Sequence, residues 1–219
     1  MTIYTIDNIN QPLSTTLYNE LQKDILSGLI KPGTKLTEHV LCKKYDVSRT
    51  PVREAFRQLE TDGLIENIPN RGAFAVGLSQ RDISDLFDLR ALFEVKAVEW
   101  AIQRMEDEDI GALKENMDFM EFYTLKDDTE KVLQFNAEFH GIIYAGTKDK
   151  ILHKTLLTYQ TYLKYSAPAK TYAGDYLKTI LEEHRALFKA FETRNIAAGK
   201  KAMETHMSQS KLRRMVDYF

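Results

Sequence analysis

The chain has 219 residues, of which 43% are hydrophobic and 28% charged, and its formal net charge is −2. Such a balance is ordinary for a globular protein, and it excludes any case for nucleic-acid binding made on global charge: a basic surface here must be local. The one cysteine, Cys42, excludes an internal disulfide. No apolar run reaches the length of a membrane span and no signal peptide precedes the first helix, so a cytoplasmic protein without a membrane partner is expected.

Residues 1–11 show no periodicity and read as a loose arm. Pro12 then opens a helix with Leu13, Leu17, Leu21, Ile25 and Leu26 on one side, ended by Gly28 and the Lys31-Pro32-Gly33 turn. Thr37, followed by Glu38, starts a short helix through Val40, Leu41 and Tyr45, and Asp46-Val47 is a turn. In the next stretch, VSRTPVREAFRQLETDGLI (47–65), Ser48 suits a helix N-cap and Pro51 a first turn. Val52, Ala55, Phe56, Leu59 and Leu64 form one apolar stripe, and Gly63 ends the helix. Helix, short turn, helix is the helix-turn-helix arrangement. Two short alternating runs, Ile65-Glu66-Asn67-Ile68 and Ala73-Phe74-Ala75-Val76, flank Pro69-Asn70-Arg71-Gly72 and predict a hairpin. Residues 1–77 therefore read as a winged helix-turn-helix.

After Val76 the strand signal stops. Helical periodicity returns from Ser79 through Ala101, then over Asp107 to Phe122, Asp128 to Tyr144, Lys148 to Tyr165, Tyr176 to Phe191 and Ile196 to Tyr218. Short polar loops separate these segments, so residues 78–219 predict a six-helix antiparallel bundle. The fold class is mainly α.

Charge in the first half is concentrated. Lys43, Lys44, Arg49, Arg53 and Arg57 stand against only Asp46 and Glu54. Cations at the N-terminal end of a helix oppose its dipole, a conflict that an anionic partner removes. Taken alone these cations read as a solvated face; with the turn, the cap and the hairpin in order, double-stranded DNA is the expected partner. Ser48, Thr50 and the helix N-terminus can donate to phosphate oxygens, Arg49 and Arg53 can face the major groove, and Arg71 at the hairpin tip can reach an adjacent groove. Helix-turn-helix dimers read two half-sites, which predicts a homodimer on a near-palindromic operator.

In the second half, Asn136 and His140 share a helix face, while His184 and His206 lie in two later helices. Three imidazoles and one oxygen suit Zn²⁺ or Ni²⁺ if they converge, and bundles build metal sites in this way. Spacing alone favours histidines satisfied in the core or at the surface over a metal site, and His153 reads as an exposed surface residue. Arg90 can pair with Glu94 or reach an effector carboxylate. Tyr144 can line a mixed pocket with its apolar ring and polar tip.

The segments VSRTPVREAFRQLETDGLI and NRGAFAV, with ILSGLIKPGTKLTE upstream, closely resemble the GntR family of bacterial transcription regulators over residues 12–77. The resemblance implies DNA contacts at Ser48, Arg49, Thr50, Arg53 and Arg71. At a position near the start of the second helix where many members have arginine, this chain has His39. The helical half looks like a FadR-type (FCD) ligand domain of the six-helix, VanR-like branch, which implies effector binding and dimerisation there. Many such domains hold a divalent metal with an Asp-x-x-x-His pair and two later histidines. The matching positions are Asn136, His140, His184 and His206, an amide standing where the pattern has a carboxylate. A repressor controlled by a small carboxylate metabolite is thus expected, with Arg90 and Tyr144 as effector contacts. The alternatives are a metal-dependent hydrolase at the His140/His184/His206 site, although no G-x-S-x-G motif is present, and a regulator that senses the metal directly.

Overall fold

The computed structural model describes residues 12–166 and 174–215; the arm expected over residues 1–11 lies outside them. The chain divides after Ser79 into two units. The first contains α1 (Leu13–Leu26), β1 (Lys35–Leu36), α2 (Glu38–Tyr45), α3 (Arg49–Thr61), β2 (Ile65–Ile68) and β3 (Gly72–Ala75). Helix α1 packs on α3, burying Leu17, Leu21, Ile25 and Leu26 with Val52, Ala55, Phe56 and Leu59. Leu13, expected in this stripe, is 63% exposed. It starts its helix, where no preceding turn covers it.

The turn between α2 and α3 rests on Asp46, whose φ of 52° closes α2 in the left-handed region that Asp tolerates. Ser48 occupies the N-cap of α3 with extended backbone, but its side chain makes no capping bond. The other end is firmly closed. Leu64 N–H donates to the Leu59 carbonyl at 2.8 Å and Gly63 N–H to Glu60 at 3.0 Å, with Gly63 at φ +72°. These are the two bonds of a Schellman cap, and they carry the chain into the wing.

The sequence predicts a two-stranded hairpin, and the structure has a three-stranded sheet in the order β1-β3-β2. Lys35 pairs with Phe74 and Leu36 with Ala73. A two-residue strand has no period to read and exists only through this long-range pairing.

The second unit contains α4 (Gln80–Arg104), α5 (Asp107–Leu125), α6 (Thr129–Gly146), α7 (Lys150–Tyr165), α8 (Gly174–Glu192) and α9 (Ile196–Met215). Asp128 and Asp149 cap α6 and α7, accepting from the N–H groups of Lys131 at 3.1 Å and Leu152 at 2.8 Å. Helix α7 starts two residues later than expected because Lys148 sits at φ 51°. The end expected for α9 beyond Met215 lies outside the described residues.

Helix α4 packs chiefly on α9, α5 on α6 and α8, and α8 on α9. This layout places the inner faces of α6, α8 and α9 around Phe139, Ile143, Leu187 and Met203, all fully buried. Close approach of α9 to α4 depends on Gly199: a Cβ there would lie 2.6 Å from Ile102 Cδ1 and 2.8 Å from Val98 Cγ1. The same substitution is therefore expected to have opposite signs at two helical glycines. Gly199→Ala should lower stability by about 1–3 kcal/mol through overpacking. Gly111→Ala, with nothing within 4 Å of the new methyl, should raise it by up to about 1 kcal/mol through helix propensity. Thermal melts of both variants check the pair, and equal shifts would refute the close-approach reading.

Candidate functional site

Three imidazoles from three helices meet inside the second unit. His140 of α6, His184 of α8 and His206 of α9 are 1%, 0% and 5% exposed. Their ligand nitrogens lie within 4.8 Å of one another. Each Nδ1 faces an oxygen: His184 the Ile180 carbonyl at 2.8 Å, His206 the Glu183 carboxylate at 2.8 Å, and His140 the Glu94 carboxylate at 3.3 Å. An acceptor at Nδ1 draws the ring proton there and leaves Nε2 with its lone pair. The Nε2 atoms of His140 and His206 stand 3.2 Å apart, and Nε2 of His184 is buried with no hydrogen-bond partner. Lone pairs brought this close repel unless a cation or proton lies between them. The donor set, with each ring held from behind by an oxygen, fits a divalent metal. Burial keeps His206 and His184 neutral, the form that ligates: it pushes His206 down to about 4 and, aided by the neighbouring imidazoles, His184 well below its usual range.

The surrounding carboxylates are themselves fixed. Glu94, fully buried on α4, accepts from Arg90 Nε at 2.9 Å and a terminal guanidinium nitrogen at 2.7 Å, and from the Tyr144 hydroxyl. Arg90 also donates to that hydroxyl at 3.2 Å. Burial alone would raise the Glu94 carboxyl, but His140 and Arg90 beside it hold it well below the usual carboxylate range. Glu183 accepts two bonds from Arg213, at 2.6 and 2.8 Å.

Of the residues singled out from sequence, His140, His184 and His206 come together, with Arg90 and Tyr144 one bond further out. Tyr144 is fully buried and its hydroxyl is engaged by Glu94 and Arg90. Asn136 is half-buried one turn before His140. His153 stands outside the cluster and is half-buried rather than exposed. Sequence reasoning missed Arg213, the contact of Glu183 with His206 and the contact of Glu94 with His140. Glu183 points away from its chain neighbour His184, as helix geometry requires, and for that reason reaches His206 on the next helix.

In the first unit, Ser48 at the N-cap and Arg49, Thr50, Arg53 and Arg57 along α3 are exposed, and Arg71 is exposed in the β2–β3 turn, over the Phe74 ring. Arg53 donates to Glu38 of α2 at 2.9 Å. The pair is exposed and solvent-screened, so it orients Arg53 without tying it up.

Together, a winged helix-turn-helix and a helical domain with a buried imidazole centre define a class of bacterial regulator. Residues 13–75 match the family model for bacterial regulatory proteins of the gntR family, and residues 85–209 match the FCD domain. The chain belongs to the GntR family, with a FadR-type (FCD) helical half. It is 32% identical over 200 residues to an uncharacterized HTH-type transcriptional regulator, YdhC, of Bacillus subtilis (strain 168), covering 90% of this chain and 88% of the relative. It is 25% identical over 218 residues to the HTH-type transcriptional repressor RspR of Escherichia coli (strain K12), covering 95% and 92%. The solved structure of E. coli McbR/YncC shares the fold with a TM-score of 0.74 at 21% identity, over 95% of this chain and all of that one. The family and the two curated relatives are transcription regulators, not enzymes, and the hydrolase alternative falls with that finding. Among the described residues no helix is long and apolar enough to cross a membrane.

Proposed function

We propose that the protein is an effector-controlled repressor that binds a near-palindromic operator as a homodimer. Ser48, Arg49, Thr50, Arg53 and Arg71 make the DNA contacts. In the helical half His140, His184, His206 and Asn136 hold a divalent ion, Zn²⁺ or Ni²⁺, and a small carboxylate metabolite binds beside it with Arg90 and Tyr144 in the surrounding shell. The observation that carries this reading is the convergence of three buried imidazoles with each Nδ1 committed to an oxygen. When bound, the ion supplies positive charge and a coordination position for a carboxylate. The repressor activity of a relative similar over nearly the whole chain supports repression. An open groove of α4 and α9, with exposed Leu92 (71%) and Leu212 among its lining residues, supports a face covered by a second copy.

Arg49→Ala and Arg53→Ala test the DNA half. On a duplex selected from a random pool by the wild-type protein, each is expected to weaken binding about tenfold and to flatten the salt dependence by about one ion. Fluorescence anisotropy across a salt series reads both, and unchanged affinity in both variants refutes the assignment. A second reading, that the ion itself is the signal, is favoured by the depth of the imidazole centre. It predicts that metal titration alone shifts operator affinity, whereas the first requires an acid as well.

A further inference from the structure

Three arginines converge beside the imidazole centre. Arg90 of α4 and Arg213 and Arg214 of α9 line one cavity of about 130 Å³, together with Tyr176 of α8 and Ser210 of α9. Liquid water takes about 30 Å³ per molecule, so this space suits an acid group with a few heavy atoms. The charges around it do not balance. Glu94 answers Arg90, and Glu183 answers Arg213. Arg214 donates to neutral acceptors, the Leu163 carbonyl at 2.9 Å and the Ser166 hydroxyl at 3.1 Å. Its Nε is buried with no hydrogen-bond partner, and among the described residues no carboxylate pairs with it. A buried cationic N–H left without an acceptor is costly, and a guanidinium fork matches the oxygens of a carboxylate or phosphate.

We propose that this cavity is an anion subsite for the second acid group of a dianionic effector, either a dicarboxylate or a phosphorylated acid. Arg214 holds that group and Arg213 assists. The assignment rests on reading the helical half as an effector domain, and it narrows the effector from any small carboxylate to one with two acid groups. A monoacid spends its single charge at the imidazole centre and leaves Arg214 unanswered. The subsite also adjoins that centre chemically. Arg213 clamps Glu183, and Glu183 fixes His206, so an anion that draws on Arg213 changes the support of one imidazole.

Isothermal titration of acetate, malonate, succinate and inorganic phosphate into the full chain tests the subsite, with metal content measured on the same samples. At least one dianion is expected to bind about tenfold or more tighter than acetate, the worth of one charge-assisted hydrogen bond. Preference for malonate or succinate assigns a dicarboxylate, and preference for phosphate a phosphorylated acid. Arg214→Gln should abolish the preference. Ser210→Glu, which supplies the cavity with its own carboxylate without touching the arginines' backbone contacts, should do the same. Acetate binding as tightly as the dianions, or the preference surviving both variants, overturns the proposal. A chain that holds metal and binds acids without preference overturns the subsite alone. A chain with neither metal nor acid binding overturns the proposed function with it.

Discussion

The Glu94→Ala variant is expected to be about 3–5 kcal/mol less stable than the wild type, the range seen when one partner of a buried ion pair is removed. Glu94 is fully buried and accepts from Arg90, Tyr144 and His140. Without it, the Arg90 guanidinium stays in the interior with only a phenol oxygen as partner, and Nδ1 of His140 loses its acceptor. The loss exceeds the worth of the pair because desolvation of Arg90 is no longer offset. A double variant, Arg90→Met with Glu94→Leu, removes both charges and should recover most of the stability. Urea unfolding followed by circular dichroism reads both. A single variant within about 1 kcal/mol of wild type would mean that Arg90 escapes to solvent when its partner is gone.

The second large effect is on metal content. His184→Ala is expected to reduce bound metal from one ion per chain to background, because it removes the imidazole whose Nε2 has no other partner. Asn136→Asp should move the other way, adding the carboxylate that an amide cannot supply. Elemental analysis after dialysis against a weak chelator separates the three proteins. Equal, negligible metal in wild type and His184→Ala refutes the metal centre.

The parts legible in the sequence were those written in local spacing. The α3 stripe, its Gly63 terminus and the six later helices follow from apolar periodicity and caps, because both are short-range properties of the chain. Arg90 and Glu94 are four residues apart, so their pairing could be weighed from sequence. The wing's third strand could not, since Lys35 and Leu36 become a strand only when β3 lies beside them. Nor could the link from Glu183 to Arg213 and His206, which depends on the register in which α8 and α9 cross. Spacing and family resemblance single out the three histidines, but their convergence is a property of packing. The same packing hid the excess charge at Arg214, which in sequence is one more cation near the end of a helix.

The Nδ1 hydrogen bonds have a further consequence for the mechanics of the helical half. The chain has a single cysteine, Cys42, so no disulfide can join α6, α8 and α9. An ion held by His140, His184 and His206 would act as a reversible cross-link that only the folded chain binds, so its binding free energy would add to the stability of the packed helices. The stiffness of the bundle would then follow the free metal concentration around it, and the three helices would exchange their amide hydrogens as one body when loaded and separately when stripped.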